Sequence, residues 1–227
     1  MRRLAAEAAD NGLLAPELAA GIARVKGVRG GGVRTGRWLS RTETEELLAL
    51  PDQATNKGKR DRVILALLIG CGLRRKELVQ LKFEQIQQRD GRWIIADLVG
   101  KGHRRRTVPM PSWAKVVVDS WAAASGVSTG PVLRAVNKSD RVLDNVISPQ
   151  SVFIVVKGYG VDLGVPIKPH DLRRTFAKLA HVGHAALEQI QLSLGHASVL
   201  TTERYLGVRQ DLTDAPCDHL GLTVNTD

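Results

Sequence analysis

Residues 63–72 read VILALLIGCG and are apolar on most faces. A helix of that kind is stable only when other elements wrap it, so this stretch is expected to be buried and to be closed by Gly72. The pattern then changes. Two runs, 85–89 and 92–98, flank Asp90-Gly91, a favoured two-residue hairpin turn. A second turn, GKGH at 100–103, leads to a third run at 106–110, which completes a three-stranded antiparallel sheet. Helical signals resume after it. Ser112 is expected to cap a helix ending near Gly126, and Ser148-Pro149 reads as an N-cap followed by a first-turn proline. Residues 187–194 form another helix stopped by Gly195, and Ser198 caps a short one carrying Tyr205. The fold class is therefore α+β, mostly helical, with one small three-stranded antiparallel sheet.

Upstream, residues 3–25 have helical composition, broken at Asn11-Gly12 and at Pro16. The stretch reads as the end of a helical domain, assigned to residues 1–27. Residues 28–39 read as a basic, Gly-rich linker. Thr42-x-x-Glu45 before LLAL is a capping-box pattern, so a fresh element and the main domain, 40–227, begin there. Lys plus Arg number 33 against 23 Asp plus Glu, a formal net charge of +10 with a pI near 10.1. That excess favours a polyanionic partner, nucleic acid before an anionic membrane. No apolar run reaches the roughly 18 residues that span a bilayer, and the N-terminus lacks the uninterrupted apolar core of a secretory signal. Only Cys71 and Cys217 occur, with no CxxC pair, which argues against a disulfide framework or a structural zinc site and fits a reducing cytoplasm.

The residues suited to chemistry converge on one reaction. HDLRRTF at 170–176 puts His170 and Arg173 three residues apart on one face of a helix start, behind Pro169. On this helix Leu172, Phe176 and Leu179 are expected to form the buried stripe, with His170, Arg173 and Arg174 turned elsewhere. LGHASVLTTERYL at 194–206 puts His196 nine residues ahead of Tyr205. Cutting a phosphodiester with a phenol needs cations on the phosphoryl oxygens, a base for a proton with a pKa of about 10, and an acid for the departing oxygen. Arginine suits the clamp because its planar fork stays charged, and lysine suits the acid because it can lose its proton. Arg74 in CGLRRKEL and Lys101 in VGKGHRRRTVP supply those types, and Glu77 is placed to orient Arg74. Taken singly each residue has a plainer use. Arg74 is a solvated helix charge, Glu77 a surface carboxylate and Lys101 a turn lysine. His170 is a helix cap, Arg173 a salt-bridge partner, His196 a C-terminal cap and Tyr205 a packing residue. Arg104, Arg105 and Arg106 form either a solvated strand or a patch for DNA backbone, and Arg174 joins them as a candidate DNA contact. Tyr159 has no basic motif around it, and His181, His184 and His219 lack partners spaced for a metal.

Taken together, GLRxxEL, the GKG turn, HxLRxTFA and LGH…TTxxYL stand in the order and local contexts of the tyrosine recombinase, or phage integrase-type, family, and residues 40–210 resemble its catalytic domain. The resemblance implies an integrase-type catalytic fold and makes residues 1–27 the last helix of a largely absent N-terminal DNA-binding domain. It implies site-specific strand transfer on double-stranded DNA through a 3′-phosphotyrosine, as in phage integration or the movement of other mobile genetic elements. In that scheme Tyr205 is the nucleophile. Arg74, Arg173 and His196 hold the phosphoryl oxygens, His170 assists proton transfer, and Lys101 protonates the 5′ oxygen. No metal or nucleotide cofactor is implied. A homotetramer on two synapsed sites is implied, with a monomer possible off DNA. Two rivals share the chemistry or the fold: a type IB topoisomerase relaxing supercoils, and a DNA-binding regulator that no longer cuts.

Overall fold

The protein is described here from a computed structural model covering residues 2–25, 37–100 and 105–207, apart from the side chain of Arg204. The chain divides into two compact units, Met1–Arg34 and Thr35–Asp227. The first contains α1 (Arg2–Asp10) and α2 (Pro16–Arg24), with the break between them at the residues marked by Asn11-Gly12 and Pro16. Ala5 and Ala19 are buried in this unit, while Leu4, Leu13 and Leu18 are exposed.

In the second unit α3 (Arg41–Ala49) is capped two residues earlier than the Thr42/Glu45 pattern suggests. Ser40 Oγ accepts from the Glu43 amide at 3.2 Å, and Glu43 Oε2 accepts from the Ser40 amide at 2.7 Å. The cap moves because Leu39, fully buried, is pinned by its own amide to Thr175 Oγ1 at 2.9 Å, so the chain can turn only after it. Residues 63–70 of the all-apolar segment form the end of α4 (Asn56–Gly70), with residues 63–69 buried throughout; Cys71 takes the cap position and Gly72 follows it. The start of α4 is held by Asp140, whose carboxylate accepts from the Asn56 and Lys57 amides at 2.8 and 2.9 Å. Negative charge there also suits the helix dipole.

Arg74 stands just before α5 (Arg75–Gln80). The sheet is the expected antiparallel meander, β1 (Ile86–Arg89), β2 (Arg92–Val99) and β3 (Arg105–Pro109) in the order β1-β2-β3. Asp90 and Gly91 both have positive φ, 50° and 73°, the conformation a two-residue primed turn requires. The GKGH turn lies largely outside the described residues. α6 (Ser112–Ser125) packs on α4, and buried Trp121 donates to the Val132 carbonyl at 2.7 Å. Ser112 is not its cap. The Pro111 carbonyl already accepts from the Ala114 and Lys115 amides, so Pro111 takes the cap position and Ser112 is the first helical residue.

A second hairpin, β4 (Arg134–Val136) and β5 (Val142–Val146), was not expected from the sequence. Its strands are short and half-exposed and carry no clean alternation. α7 (Pro149–Asp162) starts behind Ser148 as read, and α8 (Pro169–Val182) starts at Pro169. α9 (Leu187–Leu194) ends at Gly195, and α10 (Val199–Leu206) follows Ser198. The main core gathers α4 with the elements around it. A smaller core of Ala177, Ile190, Leu194 and Leu206, flanked by Phe176 and Tyr205, holds α9 and α10 against α8.

Gly72 lies where α4 gives way to α5. Its φ is +58°, and a Cβ there would stand 2.7 Å from Phe176 Cδ1. Gly72→Ala is therefore expected to cost about 1–3 kcal/mol, from backbone strain and overpacking together. Urea unfolding checks this, and an unchanged midpoint would mean the turn relaxes freely.

Candidate active site

The site is assembled from the ends of helices. α8 opens with Pro169 at its first position and is capped by Asp171, whose Oδ2 accepts from the Lys168 amide at 2.9 Å. His170 therefore sits on the exposed first turn. Arg173, one turn on, points inward and is 2% exposed. Arg174 is also buried. This corrects the expected stripe: the buried side of α8 includes Leu172, Arg173, Arg174 and Thr175, while Phe176 and Leu179 are only half-buried. The helix is covered on two sides, by the main core and by α9–α10, so polar positions become internal.

Arg173 donates to the carbonyls of Gly72 and Leu194, joining the turn after α4 to the end of α9. Burial and the nearby charge of Arg74, partly offset by Glu77, lower its pKa to about 9, which still leaves it charged at pH 7. Arg74 is about one-third exposed and reaches Glu77 Oε1 at 2.7 Å and the Gly195 carbonyl at 3.4 Å. Glu77 is 4% exposed and is the most heavily hydrogen-bonded carboxylate of the site. Burial alone would raise its pKa. Hydrogen bonds from Arg106 and Arg74, with the charge of Arg106, outweigh that and bring it to about 2.

Gly195, with φ +61°, ends α9 and turns the chain so that His196 faces the site. His196 Nδ1 lies 3.0 Å from Oγ1 of Thr202, which is fully buried. Burial, reinforced by the charges of Arg173 and Arg74, lowers its pKa to about 4, so the ring is neutral at pH 7. His170 is lowered too, by desolvation and by Arg173 and Arg174. The half-buried Tyr205 ring meets both imidazoles edge-on, with centroids 5.4 Å from His170 and 5.3 Å from His196. Its hydroxyl donates to the His170 carbonyl at 3.3 Å, and the Arg174 guanidinium lies 4.8 Å from the ring centre. Burial raises the phenol's pKa, while the charges of Arg173 and Arg174 pull the other way.

The structure thus brings together Arg74, Glu77, His170, Arg173, Arg174, His196 and Tyr205. Lys101 and Arg104 lie outside the described residues. Arg105 is exposed on β3, but Arg106 is not a surface residue. Its fork donates to both Glu77 oxygens at 2.8 and 2.9 Å and its Nε to the Ser193 carbonyl at 2.9 Å, so its expected place in an outward patch is corrected. Sequence reasoning also passed over Thr202, for which a threonine doublet gives no signal. Beside the site a cleft of about 410 Å³ is lined by Arg74, Arg75, Lys76, Lys168 and Arg173 with His170, Phe153, Leu73 and Pro169, and includes no carboxylate. Such a surface suits a phosphate backbone. Tyr159 is committed elsewhere: it donates to Asp61 at 3.2 Å, and burial beside that carboxylate raises its pKa.

Residues 37–211 match the model of the phage integrase family. The chain belongs to that family. The chain is 30% identical over 185 residues to tyrosine recombinase XerD of Ralstonia nicotianae, covering 78% of this chain and 58% of that protein. It is 34% identical over 171 residues to tyrosine recombinase XerA of Pyrococcus furiosus, covering 75% and 58%. The chain thus spans under three-fifths of the length of these relatives. Its fold is similar to that of XerH recombinase in a pre-cleavage complex with difH, with a TM-score of 0.63 at 22% identity, covering 80% of this chain and 53% of that one. It is also similar to a lambda integrase dimer bound to a COC′ core site, at 0.61 and 18%, covering 90% and 70%. The integrase-type catalytic fold, mostly helical with a three-stranded antiparallel sheet, is the fold of this chain.

Glu77 gives the site a pH signature. A carboxyl whose folded pKa lies below its unfolded value stabilises fully above the unfolded pKa and loses that contribution as pH falls toward the folded one. Here the window runs from about 4.5 down to about 2. Glu77→Gln is expected to cost on the order of 3 kcal/mol at pH 7, shrinking toward zero near pH 2, since about two pKa units are involved. Urea unfolding of both proteins across that range checks it. A cost that stays constant with pH would contradict the assignment.

Proposed function

We propose that this chain is the catalytic part of a site-specific DNA recombinase that cuts and rejoins strands through a 3′-phosphotyrosine at Tyr205. The observation that carries the reading is the seating of the phenol. It lies edge-on to His170 and His196, under Arg174, with the buried fork of Arg173 behind it. Membership of the phage integrase family, and relatives named tyrosine recombinases, support it.

The roles follow from the chemistry. Tyr205 Oη attacks phosphorus, the bond to the 5′ oxygen breaks, and the phosphodiester energy is kept in the phosphotyrosine until a 5′ hydroxyl reverses the step. Neutral His170 accepts the phenolic proton, which a phenol with a raised pKa does not release unaided. Arg74 and Arg173 neutralise the phosphoryl oxygens with planar forks, and His196 donates a hydrogen bond to them. Glu77 holds Arg74, and Lys101 protonates the departing oxygen. Arg104 and Arg105 contact the backbone. Exchange between two duplexes needs four cuts and therefore four tyrosines, so the working form is a homotetramer on synapsed sites. We assign residues 1–27 to the end of a DNA-binding domain, 28–39 to a linker and 40–227 to the catalytic domain. The cytoplasm, where such DNA resides, is the place of action.

Covalent trapping tests the reading. The protein is incubated with supercoiled plasmid and nicked duplexes from its own genomic flanks, then quenched in SDS. A protein–DNA adduct is expected, absent in Tyr205→Phe, whose DNA affinity should stay within about twofold because only one hydroxyl is lost. An adduct that survives in the variant would overturn Tyr205 as nucleophile.

A further inference from the structure

The last three carbonyls around the end of α9 are each taken by a different arginine. Arg106 of β3 donates to Ser193, Arg173 of α8 to Leu194, and Arg74 before α5 to Gly195. His196 is the next residue. A helix C-terminus carries partial negative charge and unsatisfied acceptors, so it is a natural dock for guanidinium groups. Gly195 fits this row for two reasons: its φ is +61°, and a Cβ there would stand 2.9 Å from Arg106 Cδ.

Arg106 differs from the other two. Its side chain is 10% exposed, and its described hydrogen bonds run to protein groups: Glu77 with both terminal nitrogens and Ser193 with Nε. Glu77, in turn, holds Arg74 through the side chain and the backbone amide. We propose that Arg106 is a positioning residue for the reaction. It clamps Glu77 and the end of α9 together, and so fixes the spacing of Arg74, Arg173 and His196, the groups assigned above to the phosphoryl oxygens. β3 begins four residues after Lys101 in the chain, and its Arg106 ties the sheet to the clamp. The inference rests on the proposed strand-transfer reading for its catalytic consequence, but not for its geometry.

The test uses the full chain with Arg106→Met, which keeps the stem and removes the fork, and Arg106→Lys, which keeps the charge. Two readouts are taken. The first is hydrogen exchange of arginine guanidinium groups by NMR, which needs no activity. Exchange at Arg74 and Arg173 should quicken about tenfold in both variants, as local ties are lost. The second is the rate of adduct formation on nicked duplex. It should fall roughly 10²-fold, since small misplacements of reacting groups cost that much, with DNA affinity changed little. On a duplex with a methylphosphonate at the scissile position the linkage is neutral, so a misplaced clamp matters less and the deficit should narrow to within about tenfold. A merely structural residue would depress both substrates alike. Unchanged exchange, or an equal deficit on both substrates, overturns the proposal. If Arg106→Met does not fold, Arg106→Lys carries the same comparison. If the wild type forms no adduct, the strand-transfer reading fails, and exchange alone decides whether Arg106 positions the arginines.

Discussion

The burial of Arg173 is the constraint on which the rest of the site depends. Moving a full charge out of water costs several kcal/mol, which geometry must offset. The chain does so with backbone carbonyls: Gly72, in a left-handed turn after α4, and Leu194, at the end of α9. Each belongs to a different part of the packing. Gly72 adjoins the main core through Cys71 and Leu73, whereas Leu194 is a member of the smaller core with Ile190 and Leu206. One guanidinium therefore fastens the α9–α10 pair to the body of the domain. Glu77 adds its charge to the same neighbourhood, and loss of that carboxylate would leave several cations facing each other.

The geometry of the candidate site then comes from helix ends rather than helix faces. α8 presents His170 at its start, α9 delivers His196 just past its stop, and Arg74 precedes α5. Tyr205 is the exception, on the last turn of α10, where its neighbour Leu206 is anchored in the smaller core. Ends supply unpaired amides and carbonyls, so they can orient charged side chains without extra polar residues. The clustering of cations also has an electrostatic result. It reinforces burial, the larger cause, in lowering the pKa of both imidazoles and so favouring their neutral form, while drawing down a phenol that burial pushes up.

Much of this was legible in the sequence where local rules dominate. Gly195 and Ser198 mark the limits of α9 and α10, Ser148-Pro149 starts α7, and Asp90-Gly91 closes the first hairpin, all as read. Two helix starts differ from the pattern, one for a long-range reason and one for a local one. The pinning of Leu39 by Thr175 shifts the α3 cap to Ser40, and strand β3 delivers the chain to α6 with Pro111 already at the cap. The β4–β5 hairpin is short and lacks alternation, so periodicity cannot reveal it. The candidate site residues were individually ambiguous and pointed to one chemistry only as a set. What no pattern reveals is direction. Arg106 follows two other arginines and looks solvated, and Arg173 and Arg174 look polar on a helix wheel. All three are internal because carbonyls or a carboxylate distant in sequence, or an aromatic face, await them.

The account stands on Arg173 holding α9 and α10 to the domain. Amide hydrogen exchange of Arg173→Lys against the native chain tests this most directly, since lysine keeps the charge and loses the fork. The predicted result is a loss of protection of about tenfold or more across 187–206, with the amides of α4 little changed. Equal protection of 187–206 in both proteins would contradict it, and would mean that the smaller core alone keeps the tyrosine in place.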